Sequence, residues 1–131
     1  MEEAVRFLEA ALLPEMAAFG ESLSRAVPRI TTETFSHRHA QVLHSLGVSC
    51  YPEGTDALDE RCVALIVNVI DQAGLSVKGY VAWQMPSLHQ EAETAVYQDP
   101  TGQELATFCH RVRDLFESLQ AAARRGRPPR S

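Results

Sequence analysis

The amino-acid sequence predicts an α+β fold: a two-layer domain with an N-terminal helix, an antiparallel meander of about five strands, and a C-terminal helix. Apolar residues recur at helical spacing at both ends of the chain, whereas the centre holds β-branched runs and strict alternation. A four-residue turn, Asp71 to Gly74, joins the two clearest central runs. The 131 residues make one domain by length, enough to bury roughly two-thirds of the surface of the unfolded chain. The expected boundaries are a domain over 1–125 and a disordered basic tail over 126–131.

Glu2 to Arg25 reads as an amphipathic helix, with Val5, Leu8, Leu12, Phe19 and Leu23 on one stripe and most glutamates off it. Pro14 predicts a kink or break near Leu13, because proline in a helix interior costs about 3 kcal/mol. After Pro28 the residue types change, and Arg29 to Ser36 reads as a first strand rich in β-branched side chains. In the next dozen residues Ser36 and Gly47 could bracket a short helix, but its stripe of Ala40, Leu43 and Leu46 is thin, and a loop entering a second strand, "LGVSCY", which stops at Pro52, is preferred. "PEGTDALDE" is an acidic, turn-rich loop.

"RCVALIVNVI" is a nearly continuous apolar run, as in an interior strand covered on both faces. "LSVKGYVAWQM" alternates cleanly. A loop of Asp71 to Gly74 would place Ile70 opposite Leu75, Ile66 opposite Gly79 and Cys62 opposite Trp83. "PSLHQEAETAVYQD" fits a helix capped by Ser87 and Gln90, or a strand "QEAETAVY". The strand is preferred because it sets Trp83 against Ala92, Val81 against Thr94 and Gly79 against Val96. The last element opens with Thr101 and Glu104 at capping-box spacing. Leu105, Phe108, Cys109, Val112, Leu115, Phe116 and Leu119 then form a full helical stripe. Arg124 and Arg125 face the negative end of its dipole, and Gly126 stops it.

Bulk properties narrow the class. Hydrophobic residues are 45% and charged residues 22% of the chain, as in ordinary globular proteins. The longest apolar run, "CVALIVNVI", falls well short of the ~20 residues of a membrane span. The N-terminus carries glutamates where a secretory signal carries positive charge, so a cytoplasmic location is expected. Cys50, Cys62 and Cys109 include no CxxC pair, and reduced thiols are the default reading. Residues 1–60 hold ten acids and four bases, a net of −6 within a chain of −5. That acidic half favours a basic partner over nucleic acid.

The chemistry-bearing candidates begin with His37 and His39. On a strand they point to one side and could share a metal ion. Zinc needs at least a third protein ligand, and His44, His89, His110 and Cys50 are suppliers that no spacing selects. A nucleophile finds no G-x-S-x-G elbow, and Cys50 precedes an acidic loop that would not favour a thiolate. Phosphate-cradling glycine motifs are absent, and the arginine tail brings no aromatic stacking platform.

The strongest feature is a surface. In the expected registers one sheet face carries Cys62, Ala64, Ile66, Ile70, Val77, Val81, Trp83 and Val96, with both helices able to cover it. The other gathers Val63, Leu65, Val67 and Val69 beside Tyr80, Ala82, Ala95 and Tyr97, rimmed by Lys78, Gln84, Glu91 and Glu93. An apolar patch of more than a few hundred Å² demands a cover. It meets either a helix of this chain or a partner anchored by tyrosines. The sequence therefore points to a small non-enzymatic protein-interaction module of the immunity, antitoxin-like or chaperone type. Its expected partner is a basic protein or a second copy, as a possible homodimer. Its partner-binding residues would be Tyr80, Tyr97, Val63, Leu65, Val67, Lys78, Glu91 and Glu93. No catalytic residue, cofactor or favoured metal site follows. A metal-binding domain or metal-dependent enzyme built on His37 and His39 is the alternative, and a nucleic-acid role for the tail ranks last.

Overall fold

A computed structural model describes residues 1–84, 88–93, 97–98 and 102–125, with the backbone alone at 84, 88–93 and 97–98. Helix α1 (Glu2–Ala26) leads into strands β1 (Ile30–Ala40), β2 (Leu43–Pro52), β3 (Val63–Asp71), β4 (Leu75–Gln84), β5 (Leu88–Glu93) and β6 (Tyr97–Gln98). Helix α2 (Gly102–Arg125) is the last element described. The sheet is an antiparallel meander in the order β1-β2-β3-β4-β5, and the two-residue β6 pairs with β4. The predicted α+β architecture is the observed one, with one short strand more than expected. Among the described residues no helix is long and apolar enough to cross a membrane.

Both helices pack on the same face of the sheet. Leu8, Leu12, Met16 and Leu23 of α1 share one core with Phe108, Val112 and Leu119 of α2, and with Leu46, Val48, Leu65, Val67, Val77 and Val81 of the strands. The helices are fastened to each other by Phe19 against Phe116, ring centroids 5.2 Å apart, and by Arg113 Nε donating to Glu15 at 2.8 Å. Pro14 does not break α1. It lies on the exposed side, where the carbonyl freed by the missing N–H can meet water, so the turn survives.

The loop expected over residues 37–45 is instead a long hairpin. β1 runs on to Ala40 and β2 begins at Leu43, with Arg38 opposite His44. The strand pattern hides this because the outer strand carries few apolar residues.

The β3–β4 register differs from the expected one by a single residue. Asp71 stands opposite Leu75, Val67 opposite Gly79 and Val63 opposite Trp83. The connection has three residues, not four. Ala73 (φ 56°) and Gly74 (φ 119°) both take positive φ, as three-residue hairpins with a left-handed residue do. Because side chains alternate with period two, one step exchanges the two faces of β3. Val63, Leu65 and Val67, expected to meet a partner, are core residues at 2%, 0% and 0% exposure. Cys62, Ala64 and Ile66, expected beneath the helices, lie on the opposite face.

β5 is a strand, as preferred, but it pairs Trp83 with His89 and Val81 with Ala92, with a bulge between Val81 and Ala82. Glu93 stands opposite Tyr80, Tyr97 stands opposite Val77, and Glu91 falls in the bulge. The expected roles of the Glu91, Glu93 and Tyr97 side chains lie outside the described residues. So do Thr94 to Val96, the cap at Thr101, the stop at Gly126 and the 126–131 tail.

Candidate partner-binding face

With both helices on one side, no described element lies over the other side of the sheet, which is concave. The concavity measures about 830 Å³. Its shape follows from three cross-strand rows that the registers define. The first runs Glu33, Ser49, Ala64, Ala82; the second Phe35, Gly47, Ile66, Tyr80; the third His37, Ser45, Asn68, Lys78. The first row has only small side chains at its centre, so it forms a trough across the strands. The loop between β2 and β3 borders it with Ala57 and Leu58, and Leu58 is 81% exposed.

The second row is shaped by Gly47. A Cβ there would run into the Leu65 carbonyl oxygen and meet Phe35 Cζ at 2.9 Å. Glycine thus lets the Phe35 ring lie across β2, covering backbone that a side chain would otherwise cover. Ile66 and Tyr80 continue the apolar wall. Tyr80 is buried, and Lys78 places its ammonium 5.8 Å from the ring centroid.

The third row is polar and internally bonded. Ser45 Oγ donates to Asn68 Oδ1 at 2.6 Å, and Asn68 Nδ2 donates to the Tyr80 hydroxyl at 3.1 Å. The pairs cross three strands, so these bonds tie the floor together while satisfying buried Ser45. At the far end of the first row, burial raises the Tyr51 phenol above its usual pKa, and the Glu33 carboxylate adds to this by charge and hydrogen bonding.

The histidines separate. His37 and His39 do share a side of β1, their rings edge-to-face at 4.2 Å, with Phe35 5.6 Å from His37. His44 is on the helix side, where Ser36 Oγ lies 2.7 Å from its Nε2 and also donates to Glu9 Oε2 at 2.8 Å. Desolvation lowers the His44 pKa, opposed by the nearby Glu9 carboxylate.

Cys50 is in the core, and burial pushes its thiol up to about 12. His110 lies on α2, 3.2 Å from Arg113. His89 is in β5, at the opposite sheet edge from β1 and so roughly 19 Å away by strand spacing. Among the described residues no group of three or more His, Cys, Asp or Glu is placed to hold a metal ion.

Of the partner-binding residues expected from sequence, Tyr80 and Lys78 are on this face, joined by Ile66, Phe35, Leu58 and the small-residue trough. The missed residues carry a signal only in hindsight of the register: Ser45, Gly47 and Ser49 alternate with Leu46, Val48 and Cys50 along β2. No known protein family, curated protein or solved structure matches the chain.

Proposed function

We propose that this is a small non-enzymatic interaction module that takes a segment of another protein on its concave sheet face. The carrying observation is that two helices share one side of the sheet and leave an apolar trough on the other. A partner of basic character with apolar anchors suits the surroundings. Glu33 closes one end of the trough, and the bordering loop carries Glu53, Asp56, Asp59 and Glu60. The apolar anchors would meet Leu58, Ile66 and Tyr80. A volume of about 830 Å³ also lies within the range of small-molecule pockets, about 300–1,000 Å³. The trough floor is itself buried, Ala64 at 7% and Ala82 at 0%, but the exposed Leu58 at its margin is a feature of a surface met by a protein.

Capture from native-host extract, run with the wild-type chain beside Leu58→Asp and Ile66→Arg, tests this reading. The expected result is a protein held by the wild type, lost with both variants and weakened by salt. Folding is checked by circular dichroism. If both folded variants retain the same proteins as the wild type, the open face is not the binding surface.

A further inference from the structure

We infer that the free edge of β1 is a self-pairing edge, joining two copies of this chain into a twofold dimer with a continuous sheet. Among the described residues β1 ends the strand order and has a ladder on one side only. The hydrogen-bonding phase of that ladder follows from one contact. Glu53 N–H donates to the Arg29 carbonyl at 2.8 Å, which makes the adjacent Ile30–Pro52 pair a non-hydrogen-bonded one. Alternation then directs the backbone N–H and C=O groups of Thr32, Thr34, Ser36 and Arg38 away from β2, toward the open edge. Natural edges are blunted by proline, by charged side chains, above all lysine, by bulges or by short length, and β1 carries only Glu33, Arg38 and a bulge at its far end. β1 is eleven residues long, contains no proline or lysine, and is regular up to an irregularity between Arg38 and Ala40.

The sequence of β1 is also complementary to itself. Antiparallel pairing about Phe35, the midpoint of the strand, sets Phe35 opposite its own copy. Glu33 then meets His37 of the second copy, and His37 meets the second Glu33. Thr34 meets Ser36 and Thr32 meets Arg38, both through the outward-facing backbone groups. No like charges oppose each other. Glu33 neighbours the Tyr51 phenol within its own chain, yet a carboxylate has a second oxygen for an imidazole N–H. Phe35 leans over Gly47 toward β2, so no bulky ring stands on the twofold axis. The occupant is a second copy of this chain. In such a dimer the two concave faces lie on the same side of one sheet, giving the proposed partner site a double length, although the pairing does not depend on that site.

Sedimentation or light scattering across a concentration series measures the association. The expected species is twice the chain mass at micromolar concentration. Thr34→Pro removes an N–H that faces the open edge and not β2, so it should give a folded monomer while Thr34→Val stays dimeric. Glu33→Lys should weaken association about tenfold, because the symmetry counts each Glu–His pair twice. Adding His37→Glu to it should restore most of the loss. Phe35→Cys should form a disulfide-linked dimer on oxidation, since paired strand positions sit within bridging distance and Cys50, Cys62 and Cys109 are all buried. A folded wild type that stays monomeric at ~100 μM, a concentration far above that of a typical specific complex, overturns the inference. So does a Thr34→Pro variant that remains dimeric.

Discussion

Leu65 and Ile66 are chain neighbours and both aliphatic, yet Leu65 is fully buried beneath two helices while Ile66 is half-buried on the open concave face. The same contrast repeats along β2, where Leu46 and Val48 enter the core and Ser45 and Ser49 line the concave face. One side is filled with branched side chains that interdigitate with α1 and α2. The other is made of small residues in the middle and large ones at the margin. Filling a face makes stability; emptying its middle makes a place for something else. A sheet of this kind divides its labour by side-chain parity alone.

The largest effect should come from cutting that parity at one step. Leu65→Ala should cost about 2–5 kcal/mol, through lost transfer energy and the cavity left behind. Ile66→Ala, on the open face, should cost less than about 1 kcal/mol, since water and neighbours can adapt. Urea unfolding of both variants measures the difference, and equal losses would mean that the two faces are not energetically distinct.

A smaller effect tests whether the open face has structure of its own. Gly47→Ala must displace both the Leu65 carbonyl and the Phe35 ring, so a loss of about 1–3 kcal/mol is expected. A thermal melt that does not move would show that the close packing of Gly47 against the Leu65 carbonyl and the Phe35 ring is not part of the native floor.

The smallest effect concerns His44, which lies on the packed side. Its folded pKa lies below the ordinary 6.5, so the unfolded chain binds the proton first. The stability linked to His44 is therefore present above pH 6.5 and declines as pH falls through 6.5 toward the lowered folded value. His44→Gln should flatten the stability profile in that window. A wild-type profile that rises on acidification there, and loses that rise in the variant, would mean that the Glu9 carboxylate outweighs desolvation.

Much of the architecture is legible in the residues. The stripe from Leu105 to Leu119 and the alternation from Leu75 to Met85 each specify one element, because period 3.6 and period 2 are distinct and each is long enough to read. The extension of β1 to Ala40 is not legible, because an edge strand under the flank of a helix can carry Thr32, Ser36 and Arg38 where an interior strand would carry valine. The fate of the histidines is equally hidden. His37 and His44 are separated by which side of a hairpin each occupies, and the hairpin itself reads as a loop.

The sequence by itself determined the α+β class, the helices at both ends and the presence of an apolar surplus on the sheet, while "PSLHQEAETAVYQD" fitted a helix or a strand and only the sheet pairing decided for a strand over Leu88 to Glu93. Only the tertiary structure decided which surplus is buried. "RCVALIVNVI" is apolar at both parities, so its pattern cannot say which side faces the helices. A left-handed Ala73 and Gly74 shorten the turn to three residues, and that one-residue choice sends Val63, Leu65 and Val67 into the core and leaves Ala64 and Ile66 facing outward.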